Sequence, residues 1–204
     1  MDFALQRGLS GGKHTFDVGG KDKLTDLDER DPYWGIFNLD NMLEVKEVDD
    51  KRGRGVFAAV EVPAGMRFIE PLKLVRGLAQ GHTPHDVQID RDSWARGGPF
   101  LRYANHSCRP SCRVVAVEVS CVDDAERSAI IFETLIPLYR GKELTWDYAT
   151  AEWGGSWKSF YCYCGEVGCR ERVTGFVDLT IEQQQAIMPL VTGYVARRLR
   201  EKTA

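Results

Sequence analysis

No cysteine occurs before position 108, so any thiol-built site belongs to the second half of the chain. No run approaches the roughly 18 apolar residues of a membrane span, and the first twenty residues are polar and glycine-rich, without the apolar segment of a signal peptide. These absences predict a soluble intracellular protein, cytoplasmic or nuclear, with no membrane partner. An excess of positive charge is also missing. The 27 Lys and Arg against 30 Asp and Glu give a net charge of −3 and a pI near 5.9, which argues against a surface built to neutralise phosphates and against direct nucleic-acid binding.

What is present suffices for one catalytic-sized domain with tails, since 43% of 204 residues are hydrophobic. The six cysteines fall at 108, 112, 121, 162, 164 and 169. In a reducing compartment, clustered thiols read as metal ligands before disulfides. Cys162, Cys164 and Cys169 lie within eight residues, with Gly165 and Gly168 between them to let the loop turn its sulfurs toward one centre. This spacing points to Zn²⁺. A closed structural site wants a fourth ligand, which the local sequence leaves open; Cys108 and Cys112 lie only four residues apart. Cys121 reads as a small apolar filler.

Taken in order, residues 1–37 read as a flexible leader with few large apolar groups, ending in an aromatic cluster from Pro32 to Phe37 that docks on the domain or binds a partner. The alternation from Leu43 to Val48, a turn through Gly53 and Gly55, and the apolar run from Val56 to Val60 predict a β-hairpin. Its glycines serve either a turn or the close approach of a ligand. Short strands are expected over 66–69 and 72–75. His82, His85 and Asp86 have the composition of a two-His-one-carboxylate metal site, although the plainer reading is a solvated loop.

The segment from Arg102 to Cys108 (Arg-Tyr-Ala-Asn-His-Ser-Cys) sets an amide, an imidazole, a hydroxyl and a thiol side by side, without helical or strand periodicity. Such a run is costly to bury and reads as a site segment. Val114 to Val119 and Ala129 to Phe132 form the arms of a second hairpin. A turn at Arg140 and Gly141 precedes a strand that ends in aromatics. At the C-terminus, Thr180 and Gln183 form a capping-box pair, Pro189 should kink or divide the helix, and Arg197, Arg198 and Arg200 suit a solvated, dipole-matched end.

Four motifs now stand in order: Arg-Gly-Arg-Gly-Val-Phe-Ala over 52–58, the segment 102–108, Gly-Lys-Glu-Leu-Thr-Trp-Asp-Tyr over 141–148, and the cysteines at 162, 164 and 169. Together they resemble the SET-domain methyltransferases with a zinc-binding post-SET segment. The resemblance implies a mainly β fold with some α, a β-clip in which the segment 102–108 and the strand ending at Tyr148 cross as a pseudoknot. It divides the chain into a leader (1–37), a SET domain (38–150), a zinc-binding post-SET segment (151–176) and a C-terminal helix (177–204). It makes Cys108 the fourth ligand beside Cys162, Cys164 and Cys169. It sets S-adenosylmethionine against Arg52, Gly53 and Arg54, with the adenine near Asn105 and His106, and makes Tyr148 the active-site tyrosine. The activity implied is methyl transfer to the side-chain amine of a protein lysine. Such a transfer is an in-line displacement that needs alignment and exclusion of water more than a strong base, and no base stands out in the sequence.

Some residues depart from the family pattern. Trp146 stands where Phe or Tyr is usual, and should narrow or reshape the acceptor end together with Tyr148. His85 stands near a usual tyrosine, Glu70-Pro-Leu-Lys replaces a Glu-Tyr-x-Gly-Glu motif, and a cysteine-rich preceding segment is missing. Two other readings therefore accompany the protein-lysine methyltransferase: a SET scaffold acting on a small-molecule acceptor, by methylation or by other chemistry, and a non-catalytic binding module.

Overall fold

The computed structural model describes residues 39–77, 85–96, 98, 100–122, 125–154 and 158–203. The leader, His82 and the side chain of Cys121 lie outside the described residues.

A four-residue helix, α1 (Leu39–Met42), leads into β1 (Leu43–Asp49), which pairs antiparallel with β2 (Gly53–Ala58). The turn between them is held by Asp49, whose carboxylate accepts the backbone N–H groups of Lys51 and Arg52. Gly53 takes a φ of +65°, where a Cβ would be strained. The two short strands expected over 66–75 are one strand, β3 (Arg67–Arg76), running through Pro71. The proline is tolerated because β3 pairs with a second neighbour only from Lys73 onward; at Pro71 it has one neighbour, and the missing N–H costs little there.

The hairpin β4 (Asp86–Asp90) and β5 (Ser93–Arg96) and the longer β7 (Cys112–Val122) and β8 (Ala125–Thr134) join β3 in an antiparallel sheet ordered β4-β5-β3-β8-β7. A second sheet, ordered β1-β2-β9-β6, contains β6 (Asn105–His106) and β9 (Glu143–Trp146). A two-stranded ribbon, β10 (Phe160–Tyr161) and β11 (Arg172–Val173), carries the cysteine-rich loop. The main core lies where the two larger sheets meet: Val56, Ala58 and Leu144 of one pack with Phe68, Val114, Ile130 and Phe132 of the other.

The expected crossing is present. β6 runs parallel to β9, and the chain just beyond it stays on the same track. Ser107 donates its N–H to the Trp146 carbonyl (3.0 Å), Ser111 Oγ donates to the Glu143 carbonyl (3.1 Å), and Thr145 donates its N–H to Ser111 Oγ (2.9 Å). Ser107 thus extends the ladder by its backbone, and the Ser111 hydroxyl replaces bonds that the two-residue strand cannot make.

A second apolar cluster, with Trp153, Phe176, Ile187 and Val195, fastens the C-terminal segment. α2 (Ile181–Ile187) begins at the predicted capping box of Thr180 and Gln183, and Pro189 divides it from α3 (Gly193–Thr203) through a 3₁₀ turn. The arginine-rich end is not simply solvated: Arg197 meets Asp90, and Arg91 reaches Glu201 across from the β4–β5 turn. Among the described residues, no helix is long and apolar enough to cross a membrane.

Candidate functional site

β6 delivers Asn105 and His106 to the point where the second sheet meets the cysteine-rich ribbon. Asn105 Nδ2 donates to the Arg54 carbonyl (3.1 Å) and to Glu143 Oε1 (2.8 Å), while Glu143 Oε2 accepts from Arg52 (3.3 Å). One amide and one carboxylate therefore fix the Arg52-Gly53-Arg54 turn against β6. Gly55 is needed for this arrangement, because a Cβ there would come within 2.6 Å of Glu143 Oε1 and 3.0 Å of Asn105 Nδ2. At Gly53 the same test meets nothing within 4 Å, so its backbone faces open space.

His106 is buried and uses both ring nitrogens. Nδ1 accepts the Tyr148 N–H (3.2 Å), and Nε2 lies 3.4 Å from Cys108 Sγ. Burial holds its pKa down at about 4, partly opposed by the nearby Asp147 charge, so the ring is neutral. The imidazole thereby links the thiol cluster to the end of β9. Tyr148 stands edge-on to His106 and tilted against Trp146, at centroid distances of 5.3 and 4.7 Å. Its hydroxyl donates to the Ala104 carbonyl (3.0 Å), and Trp146 Nε1 donates to the same oxygen (3.1 Å). Burial pushes the Tyr148 phenol well above the ordinary tyrosine value, so it stays protonated and keeps a fixed direction.

The four predicted ligands converge. The sulfurs of Cys108, Cys162, Cys164 and Cys169 all lie within 4.8 Å of one another, and the Cys108–Cys162 pair is 3.8 Å apart. A tetrahedral Zn²⁺ with bonds of about 2.3 Å has sulfur–sulfur edges of about 3.8 Å, whereas a disulfide needs about 2.0 Å. The donor set therefore fits zinc. Cys112 is excluded: it is fully buried in the main core, and burial pushes its thiol up to about 12. Next to Cys169, Arg170 makes a two-armed ion pair with Asp147 (2.6 and 2.8 Å) and donates its N–H to Cys108 Sγ (3.4 Å).

A cleft of about 580 Å³ opens between the Arg52-Gly53-Arg54 turn and the ribbon. Its wall includes Asn105, His106 and Tyr148, the cations Lys51 and Arg102, and the aromatics Tyr103, Phe160, Tyr161 and Tyr163. All five predicted cofactor residues line it. A volume in the usual range for ligand sites, an open glycine backbone, and a mixture of cations and aromatic faces fit a ligand with a carboxylate and an adenine. Trp146 does not reach this cleft. It borders a second cavity of about 20 Å³, which shares His85, Arg102 and Tyr148 with the first.

The remaining candidates go elsewhere. Asp86 is fully buried and paired with Arg96 (2.9 Å), and His85 Nδ1 bonds the Arg102 carbonyl (2.9 Å), so these two are not arranged as metal ligands. Glu70 binds the N–H groups of Phe100 and Leu101 and anchors the approach to β6. Sequence reasoning missed Glu143, Asp147 and Arg170. All three lie inside or beside quoted motifs, Glu143 and Asp147 within 141–148 and Arg170 next to Cys169, and the signal available for the first two was a charge within an otherwise apolar strand end.

The family model for the SET domain matches residues 53–149. A histone-lysine N-methyltransferase of Aspergillus oryzae, described as H3 lysine-4 specific, is 35% identical over 141 residues, covering 67% of this chain and 10% of that protein. The trr histone-lysine N-methyltransferase of Drosophila melanogaster is 40% identical over 96 residues, covering 47% of this chain and 4% of its own length. The chain thus spans a tenth or less of either relative. A crystal structure of KRYPTONITE with mCHG DNA and SAH aligns at 28% identity and a TM-score of 0.49, covering 64% of this chain and 28% of that one. With its matched motifs and crossed strands, the segment 53–149 is a SET domain, and this chain is a SET-domain protein.

Proposed function

We propose that the chain is an S-adenosylmethionine-dependent methyltransferase acting on the side-chain amine of a protein lysine. The observation that carries this reading is the position of Tyr148, which borders both the large cleft and the small cavity. A donor in the first and an acceptor in the second would meet at its hydroxyl. The named activities of the Aspergillus and Drosophila relatives support the same substrate class and a nuclear place of action.

In this reading Arg52, Gly53 and Arg54 hold the carboxylate end of S-adenosylmethionine, and Asn105 and His106 border its adenine. When bound, it supplies an electrophilic methyl group. Tyr148, held on the Ala104 carbonyl, aligns the acceptor nitrogen. Cys108, Cys162, Cys164 and Cys169 bind a structural Zn²⁺ that keeps the ribbon over the cleft. Residues 38–150 then form the catalytic unit, 151–176 the zinc-binding segment and 177–204 the helical tail.

A second reading, a small-molecule acceptor, is favoured by the small volume beside Trp146, about 20 Å³. Labelled S-adenosylmethionine incubated with the zinc-loaded protein and core histones separates the two. Labelled histone bands that vanish in Tyr148→Phe support the protein-lysine reading. Label confined to small metabolites of a cell extract supports the other. Undiminished transfer by Tyr148→Phe removes Tyr148 from the reaction.

A further inference from the structure

The small cavity on the far side of Tyr148 is walled by two carboxylates, Asp86 and Glu152. They are not equivalent. Asp86 is matched by the Arg96 guanidinium. Glu152 is 7% exposed and accepts one hydrogen bond, from the Gln88 N–H to Oε1 (3.1 Å); among the described residues, no cation stands within ion-pair distance of it.

Its position is fixed by the backbone. The Glu152 N–H donates to the Tyr148 carbonyl (2.9 Å), and its carbonyl accepts from the Phe176 N–H (2.8 Å). Behind it, Gly154 and Gly175 touch so closely that a Cβ on Gly175 would fall 2.2 Å from the Gly154 Cα. A carboxyl group is thus held one short turn after the active-site tyrosine, facing a chamber with room for about one water. A buried carboxylate without a cation is costly, and a ligand that brings a positive charge relieves that cost.

We propose that Glu152 receives the acceptor: its carboxylate binds the incoming ammonium group and takes one proton from it. This deepens the methyltransferase reading and rests on it. The ammonium R–NH₃⁺ gives a proton to the carboxylate, leaving R–NH₂ and a neutral Glu152. The nitrogen lone pair then forms the bond to the methyl carbon as the carbon–sulfur bond breaks, its electron pair staying on sulfur. The product is R–NH₂CH₃⁺ and a thioether, and the Glu152 proton returns to solvent. The local charges suit the task. Burial, with the Asp86 charge adding to it, raises the Glu152 pKa to about 7, against the lowering effect of the Gln88 N–H. The other titratable groups around it are Tyr148, His85 and Arg102 at the cavity and Tyr194 on α3.

The test compares zinc-loaded wild type with Glu152→Gln, which keeps an acceptor for the Gln88 N–H. Initial rates are measured from about pH 6 to about 10 with labelled S-adenosylmethionine, using a histone H3(1–15) peptide and poly-lysine as probes. Wild-type kcat/KM should rise through about pH 7 and level off, because Glu152 must be ionised to bind the ammonium. In Glu152→Gln it should fall about 10²-fold near pH 7.5, and the gap should close toward pH 10, where solution supplies the neutral amine of a lysine with a pKa of about 10.4. Calorimetric affinity for S-adenosylmethionine should not change. A Glu152→Gln profile matching wild type, or a deficit equal at every pH, overturns the proposal. If the variant does not fold, a wild-type kcat/KM that is flat between about pH 6 and about 8 overturns it equally. Cofactor binding without methyl transfer to either probe sinks the acceptor role alone; absence of cofactor binding sinks the methyltransferase reading with it.

Discussion

Replacing Arg170 with alanine removes one half of the ion pair that joins the zinc-binding segment to the end of β9. The guanidinium is 9% exposed and Asp147 is fully buried, with contacts of 2.6 and 2.8 Å. Taking away one member of such a pair leaves a buried charge unmatched and typically costs about 3–5 kcal/mol. Here the lower end applies, about 3 kcal/mol, because Asp147 still accepts the Ala149 N–H (3.1 Å). For a chain of this size, that corresponds to a fall in Tm of roughly 6–12 °C. The backbone N–H of position 170 still reaches Cys108 Sγ, so zinc content should stay near one per chain. The assay is thermal unfolding of zinc-loaded protein, completed as a double-mutant cycle with Asp147→Asn. The second substitution removes the stranded charge, so Arg170→Ala/Asp147→Asn should be more stable than Arg170→Ala alone. A loss below about 1 kcal/mol in Arg170→Ala, or a double variant less stable than the single, would refute the reasoning.

Two further outcomes follow from the same geometry. Cys108→Ser should lose most of its zinc by elemental analysis and bind S-adenosylmethionine more weakly, because Cys108 belongs to the sulfur cluster and touches His106; Cys112→Ala should keep its zinc, since that thiol lies in the main core. Glu152 should also leave a mark on stability. Its folded pKa of about 7 lies above the ordinary 4.5, so it favours folding fully only below about pH 4.5 and loses that contribution as pH rises through 7. The stability difference between Glu152→Gln and wild type should therefore shift by about 3 kcal/mol in favour of the variant from pH 4.5 to above 7, measured by denaturant unfolding.

Local chemistry made much of this legible in the sequence. The alternation over 43–48, the capping box at Thr180, the break at Pro189 and the glycines between the cysteines each act within a few residues, and each appears where expected. Contacts between distant residues were hidden. Glu143 reads as one more charge beside a strand, yet it ties together Asn105 and Arg52, 38 and 91 residues away. Gly55 could serve a turn or the close approach of a ligand, and the groups that approach it are the side chains of Glu143, Val48 and Asn105. The strands expected over 66–69 and 72–75 proved to be one, because the sequence does not show that β3 stays paired with β8 through Pro71. Glu152 carries no motif at all; it follows Tyr148 by four residues, but only the fold brings its carboxylate to a cavity shared with Asp86 and Trp146.

The central claim is that the cleft between Arg54 and the zinc-binding ribbon is the S-adenosylmethionine site. Calorimetric titration of S-adenosylmethionine into the zinc-loaded protein tests it most directly. One equivalent should bind, and Asn105→Ala, which releases the Arg54 carbonyl and Glu143, should weaken binding by about tenfold, corresponding to roughly 1.4 kcal/mol. Saturable binding left unchanged by Asn105→Ala, or no binding by the wild-type protein, would contradict the account.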